Sequence, residues 1–314
     1  MYMTRILCGL IVVLSTALFP VIVEKQLGYS EPQIIASAAI LIDYETGTVL
    51  YEKNIDEKIC PASLTKLMTI HLTLKRIKEG TLSYDDIVTI KKEASAKNMP
   101  AGSSLMYLEE GQQVTIRTLL KGLAVASGND AAVAIAQFLS GSVANFVKEM
   151  NQEVMRLGYK SMHFEDASGL SDRNYITARE FGDFCRFYIY MYPQALNDIN
   201  SLKSIVFPEE DQSSNHSKAT KHSIKQYNRN LSLWTFFGAD GLKTGYIRAS
   251  GYNIAITAHQ EGMRLIAVVL GVSDSYHSPG REMLEKDAEE LLSYGFENFS
   301  DAPPVVPQDF KKVY

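Results

Sequence analysis

The sequence predicts an α/β domain of the α+β kind: an antiparallel five-stranded sheet flanked by helices, beside a mostly helical lobe. Three observations predict it. β-Prone segments with tight turns lie near both ends of the chain, at 38–53 and 239–272. Helical periodicity fills the middle, between residues 63 and 190. Sequential strands joined by short turns are antiparallel, so an N-terminal hairpin can complete a sheet begun by the last three strands.

Each element has a local reason. Residues 38–43 are apolar, Glu45-Thr46-Gly47 is turn-forming, and 48–53 is a second short strand. A helix is expected from Ala62 or Ser63 to Glu79, stopped by Gly80. Its Leu64, Leu67, Met68, Ile70, Leu72, Leu74 and Ile77 cover most faces, which marks a buried helix. Residues 81–111 are polar and rich in breakers, so a loop is expected there. Helices follow over 115–126, 130–139 and 145–157, the first two separated by a Ser127-Gly128-Asn129 turn and the third closed by Gly158. Thr177-Ala178-Arg179-Glu180 is a capping box that opens a helix to about Tyr190. Strands are expected at 203–207, 222–227, 239–247, 252–259 and 264–272, with a final helix over 282–292. The tail, 301–314, is Pro-rich and expected to be extended.

Composition excludes some classes of function. The net charge is −5 and the Lys91-Lys92 and Lys311-Lys312 pairs are isolated, so nothing points to nucleic acid as a partner. The six histidines make no spaced metal pair, and no metal or other cofactor is implied. The cysteines Cys8, Cys60 and Cys185 have neither metal-ligand nor redox spacing. Cys60 and Cys185 can pair only if the fold brings them together, and two free thiols are expected.

The N-terminus carries Arg5 and then the apolar run from Ile6 to Val23, ending in Gly28-Tyr29-Ser30 with small residues at −3 and −1. This predicts a secretory signal peptide over 1–30, cleaved before Glu31. The alternative is an uncleaved anchor, giving N-terminal membrane attachment, because 18 apolar residues is near the lower limit for a span. Either reading puts residues 31–300 outside the cytoplasm, in the periplasm or on the outer face of the inner membrane.

Three short motifs carry the chemistry. Ser63-Leu64-Thr65-Lys66 is the only Ser-x-x-Lys, Ser127-Gly128-Asn129 is a Ser-x-Asn, and Lys243-Thr244-Gly245 is the only Lys-Thr-Gly. The first arises by chance about once in a chain of this length, and the last in about one such chain in ten. A second Ser-x-Asn, Ser213-Ser214-Asn215, shows how little that triplet means alone. Weight comes from their order and placement. Residues three apart share a helix face, so Lys66 can take the proton of Ser63. A lysine is a base near neutral pH only if burial or a second cation lowers its pKa, and Lys243 can be that cation. Ser127 can pass a proton to a leaving amine, and Asn129 can bind a substrate amide. Gly245 allows close backbone approach, and the N–H groups of Ser63 and Tyr246 can form an oxyanion hole. Together these read as acyl transfer by a serine–lysine mechanism.

The set resembles the penicillin-binding and serine β-lactamase superfamily. Pro61-Ala62-Ser63-Leu64-Thr65-Lys66-Leu67-Met68-Thr69, Gly102-Ser103-Ser104-Leu105-Met106, Ala126-Ser127-Gly128-Asn129-Asp130-Ala131-Ala132 and Asp240-Gly241-Leu242-Lys243-Thr244-Gly245-Tyr246 resemble segments of the D-alanyl-D-alanine carboxypeptidases, the low-molecular-mass penicillin-binding proteins. Ser250-Gly251-Tyr252-Asn253 and Gly280-Arg281-Glu282 fit as well, and the similarity runs from Ile35 to Phe299. The resemblance implies a β-lactamase/DD-peptidase-like fold. It implies Ser63 as acylated nucleophile, Lys66 as its base and Ser127 as proton relay. Asn129 would hold the substrate amide, and Lys243 and Thr244 the terminal carboxylate. Arg229 and Arg281 match family positions near the site, with surface salt bridging as the alternative. The implied partners are a peptidoglycan stem peptide ending in D-Ala-D-Ala, and β-lactams as covalent inhibitors.

Two departures bear on rate and substrate preference. Tyr246 stands where many relatives carry His, and Ile247 where a small hydroxyl residue is frequent. The best-known relatives also carry a C-terminal β-domain and an amphipathic membrane helix. About 15 residues follow Phe299, so attachment is expected at the N-terminus. Three other readings stay open. A class A β-lactamase needs a Glu-x-x-Leu-Asn segment, where Pro193-Gln194-Ala195-Leu196-Asn197 lacks the Glu. A D,D-endopeptidase would use the same residues on cross-links, and a wall-binding protein would use the fold without turnover.

Overall fold

The computed structural model describes residues 23–24, 31–208, 223–274 and 279–300. The signal segment (apart from the backbone of Val23 and Glu24), the Pro-rich tail and the second Ser-x-Asn triplet lie outside the described residues.

The expected sheet is present. Its strands are β1 (Ala38–Asp43), β2 (Val49–Lys53), β3 (Ala239–Ile247), β4 (Gly251–Gln260) and β5 (Met263–Val272). They lie antiparallel in the order β2-β1-β5-β4-β3. The N-terminal hairpin therefore docks beside the last strand, as the sequence implies, and β3 forms the far edge.

Helices cover both faces of the sheet, which explains why β1 is buried along its whole length and apolar as far as Ile42 rather than alternating. Ala38, Ile40 and Ile42 join one core with Ile266, Val268 and Leu270 of β5. Ala39 and Leu41 join a second core with Leu265, Ala267 and Val269. The second core is closed by α6 (Gly280–Asn298), through Leu284, Ala288, Leu291 and Leu292. That helix extends beyond the predicted 282–292 because Tyr294 and Phe296 still pack on the core edge.

The first core lies under the helical lobe: α1 (Lys66–Lys78), α2 (Ile116–Lys121), α3 (Asn129–Ser140), α4 (Val143–Arg156) and α5 (Ala178–Met191). Helix α5 meets the sheet at Gly182, where a Cβ would stand 2.7 Å from Ile42 Cδ1. Every residue of α1 from Lys66 to Leu74 is buried, so this helix is the axis of the lobe.

Several boundaries differ from expectation for physical reasons. The first helix opens as a 3₁₀ turn, Ala62–Thr65, and becomes α-helical only at Lys66. The helix expected over 115–126 is α-helical to Lys121 and then widens into a π turn, Gly122–Ala126, which ends at Ser127 with φ +56°. The predicted capping box is half formed. Thr177 Oγ1 accepts from Glu180 N at 3.3 Å, but the Glu180 carboxylate accepts from Lys160 N and Ser161 N instead. The region expected as loop contributes a short strand, Ile87–Thr89, paired with Gln113–Thr115. Three-residue strands are too short to give a period. The strands expected at 203–207 and 222–227 are seen as Ser204–Phe207 and Ile224–Tyr227, paired with each other apart from the main sheet.

Candidate active site

The three motifs converge on one cavity of about 220 Å³. Ser63, Ser127, Thr244, Gly245, Tyr246 and Arg229 line it, with Arg281 at the rim. Each motif is placed by a different element, and the fold supplies the meeting point.

Ser63 lies in the 3₁₀ turn at the head of α1. In such a turn residues three apart eclipse, so Lys66 stands directly over Ser63. Lys66 Nζ lies 3.0 Å from Ser63 Oγ, 2.7 Å from Asn129 Oδ1 and 2.6 Å from the carbonyl oxygen of Ser168. Ala62, just before the serine, has φ +50°, and Ser127 has φ +56°. Left-handed backbone at non-glycine residues is a cost that persists only where the surroundings enforce it.

The 3₁₀ turn is packed so closely, by β3 on one side and by the 166–171 loop on another, that a glycine is required at each contact. A Cβ on Gly245 would stand 2.8 Å from Ser63 N and 2.9 Å from the Pro61 carbonyl oxygen. Those are backbone atoms and cannot swing aside. Gly169 has φ +89° and its Cβ would overlap the Ala62 carbonyl. The Ser63 N–H and the backbone entering Tyr246 are thereby held side by side.

Lys66 is wholly buried, and burial lowers its pKa from 10.5 to about 7. Asp166 and Asp130 oppose that shift and Arg229 adds to it. The sequence expected burial beside a second cation, Lys243; burial is the main cause, and Arg229 is a further cation that lowers Lys66, while Lys66 and Lys243 repel each other. Lys243 is itself depressed by burial, then by Lys66 and Arg229. Its ammonium donates to the Thr244 carbonyl at 2.9 Å, so Lys66 rather than Lys243 is the hydrogen-bond partner of Ser63.

Several supporting residues were not singled out from the sequence. Asp166 accepts from the N–H groups of Ser168, Gly169 and Ser171, each at 2.6 Å. Burial pushes this carboxyl up, but those donors outweigh it and hold it below its usual range. The loop so fixed presents the Ser168 carbonyl to Lys66. Asp130, fully buried, accepts from Met106 N at 2.9 Å and Leu108 N at 3.0 Å. It pins the 102–108 segment, whose Ser104 carbonyl accepts from Asn129 N at 2.8 Å. Asp130 was visible beside the second motif; Asp166 had no such signal, because its work is done through backbone contacts.

Arg281 Nη2 donates to the Arg229 carbonyl at 2.9 Å, joining the C-terminal helix to the cavity wall. Arg229 and Arg281 line the cavity together with Glu285, while Lys66 and Lys243 are buried behind its wall. Tyr246 is 52% exposed, and its ring lies 4.4 Å from that of Tyr252. Cys60 and Cys185 are both free, and burial raises both thiols. Cys60 donates to the Ser171 carbonyl at 3.4 Å. Among the described residues no group of three His, Cys, Asp or Glu side chains could hold a metal ion.

Comparison with known proteins agrees with this geometry. The family model described as D-alanyl-D-alanine carboxypeptidase matches residues 25–274. D-alanyl-D-alanine carboxypeptidase DacA of Haemophilus influenzae is 37% identical over 279 residues, covering 88% of this chain and 65% of the relative. The chain thus spans slightly less than two thirds of that relative's length. Penicillin binding protein 5 from Haemophilus influenzae superposes with a TM-score of 0.77 at 36% identity, over 87% of this chain and 74% of the other. Penicillin-binding protein D2 from Listeria monocytogenes, solved in the ampicillin bound form, gives 0.70 at 29% identity, over 85% and 100%.

Proposed function

This chain belongs to the D-alanyl-D-alanine carboxypeptidase family, and from that membership and the site we propose that it removes the terminal D-alanine from peptidoglycan stem peptides through an acyl-enzyme on Ser63. One observation carries the proposal: a serine hydroxyl at an open cavity stands 3.0 Å from the amine of a wholly buried lysine with a pKa of about 7.

The steps follow from the atoms present. Neutral Lys66 Nζ takes the Ser63 proton as Oγ attacks the carbonyl carbon between the two D-alanines. Negative charge develops on the carbonyl oxygen, and the adjacent backbone N–H groups of Ser63 and Tyr246 are the donors for it. The C–N bond breaks, and the leaving amine takes a proton relayed from Lys66 by Ser127. The acyl group stays on Oγ as an ester until water attacks it and restores the hydroxyl. Asn129 orients Lys66 and offers its amide to the substrate. Lys243, Thr244, Arg229 and Arg281 would hold the free carboxylate, which recovers the ionisation energy that burial takes from Lys243.

β-Lactams fit the same reading as covalent inhibitors, since they carry an acylating carbonyl and a carboxylate. We further propose that the chain acts outside the cytoplasm, in the periplasm or on the membrane's outer face, after signal-directed export or with an N-terminal anchor. The apolar N-terminal run and the location of peptidoglycan support this. The test is release of D-alanine from a synthetic pentapeptide, with penicillin adding its mass to the Ser63 peptide. Ser63→Ala should lose turnover about 10⁴- to 10⁶-fold, as serine nucleophiles do, and lose the adduct. Near-normal turnover in that variant would refute the assignment.

A further inference from the structure

Six of the large apolar side chains left exposed among the described residues fall within 206–237: Val206, Ile224, Tyr227, Leu231, Trp234 and Phe237. The others are scattered along the chain, which is ordinary for a folded surface. The six belong to two touching pieces, the hairpin of Ser204–Phe207 with Ile224–Tyr227 and the segment 231–237 that follows it. Val206 pairs with Lys225 and Ser204 with Tyr227, so Val206, Lys225 and Tyr227 share one face of the hairpin. At the root of the hairpin the Lys203 carbonyl accepts from Asn228 N at 2.9 Å, and its ammonium lies over the Trp234 ring, 5.7 Å from the centroid. Lys225 lies over the Tyr227 ring in the same way, at 5.3 Å.

The patch is held where it protrudes most. Phe237 is 81% exposed, yet its carbonyl accepts from Gln260 Nε2 at 2.8 Å. Phe236 beside it stacks on Phe296, with ring centres 6.4 Å apart. A phenyl ring kept in water on a fixed backbone forgoes burial energy that a partner would recover.

Two observations say what covers it. The first is chemical. Tryptophan and tyrosine rings beside lysine stems, whose ammonium groups can reach outward, suit the boundary between lipid and water. The carboxylates packed behind the patch have other partners. Glu289 accepts from Ser232 Oγ and Thr235 Oγ1, Glu285 from the N–H groups of Leu231 and Ser232, and Asp240 pairs with Arg264. The second is position. Phe296 stands three residues before Phe299, whose backbone pairs with Glu24. Glu24 directly follows the apolar run from Ile6 to Val23. That run therefore meets the domain on the side where Phe236 and Phe237 sit.

We infer that this patch docks the domain on the outer face of a phospholipid bilayer, with Val206, Leu231, Trp234 and Phe237 entering the interface and Lys203 and Lys225 meeting lipid phosphates. The inference rests on the export proposed above and not on the chemistry at Ser63. It differs from attachment by an anchor alone, which would tether the domain and leave this face in water.

Trp234 is the only tryptophan in the sequence, so its fluorescence reports on this patch. The full chain is reconstituted in vesicles of phosphatidylethanolamine and phosphatidylglycerol, with or without lipids brominated in the upper acyl chain. Bromolipid should quench Trp234, and iodide on both sides of the vesicle should not. The reverse pattern, an iodide-quenched tryptophan untouched by bromolipid, is that of a tether alone and would overturn the docking. Phe237→Ser should lower the docked-to-undocked ratio about tenfold or more. Lys203→Gln and Lys225→Gln should lower it about fivefold each. All three variants should keep the thermal unfolding midpoint of the wild type, because the side chains they change are exposed. Bromolipid quenching that none of the substitutions weakens would overturn the patch as the docking face. Shielding of Trp234 from iodide in detergent alone, rising with protein concentration, would overturn it in favour of a second copy of the chain.

Discussion

Acylation of Ser63 should depend on pH with a single acid limb near pH 7, set by Lys66. Lowering its ammonium from 10.5 to about 7 corresponds to about 5 kcal/mol of preference for the neutral amine. Only the neutral form can accept the serine proton. It is about half the population at pH 7, about a tenth at pH 6 and about a hundredth at pH 5. Acylation by a fluorescent penicillin, followed by stopped flow, should therefore slow about tenfold per pH unit below pH 6. Lys66→Arg substitutes a group that stays protonated, so acylation should fall about 10²- to 10⁴-fold and the limb should vanish. Stability must be followed in parallel. A lysine whose folded pKa lies below its unfolded value leaves the folded state with fewer protons between about pH 7 and 10.5. Its cost to folding is thus full at acid pH and is relieved as pH rises through that window. A rate that stays flat from pH 5 to 9 in the folded protein, or an acid limb that survives in Lys66→Arg, would refute the assignment of Lys66 as base.

Gly245→Ala should slow acylation about 100-fold, because its Cβ would push β3 off the Ser63 backbone at 2.8 Å, and misplacement by about 1 Å costs that much; an unchanged rate would show that the two backbones need not touch. Arg229→Gln should raise KM about tenfold for peptides with a free terminal carboxylate and leave the weak binding of C-terminally amidated peptides unaltered, as measured by steady-state kinetics. Glu153 is 4% exposed and holds His71, Lys75 and Arg156; burial pushes its carboxyl up, but hydrogen bonds from Arg156, His71 and Lys75 overcome this and lower it. Glu153→Ala should cost about 3 kcal/mol in urea denaturation at pH 7. Because the folded pKa is lowered, that stabilisation is present above about pH 4.5 and fades as pH falls further; equal losses at pH 7 and pH 3 would contradict it.

Much of the fold was legible in the chain. The hairpin, the last three strands and the main helices carry strong periods and clear stop signals, because each buries a continuous stripe or face. The adjacency of Ser63 and Lys66 follows from three-residue spacing alone. The paired strands Ile87–Thr89 and Gln113–Thr115 were hidden because each is too short to show a period. The π turn before Ser127 was hidden because 122–126 reads as ordinary helix and widens only to deliver that serine.

What the sequence determined by itself was the order of the chemical groups and the local frame of each. What tertiary structure decided was their meeting and their strength. Lys66 reaches Asn129 across 63 residues and the Ser168 carbonyl across 102, and neither contact has a local signature. The basicity of Lys66 comes from complete burial, which depends on every element packed around α1. A pKa depends on where water is excluded, and only the folded chain excludes it.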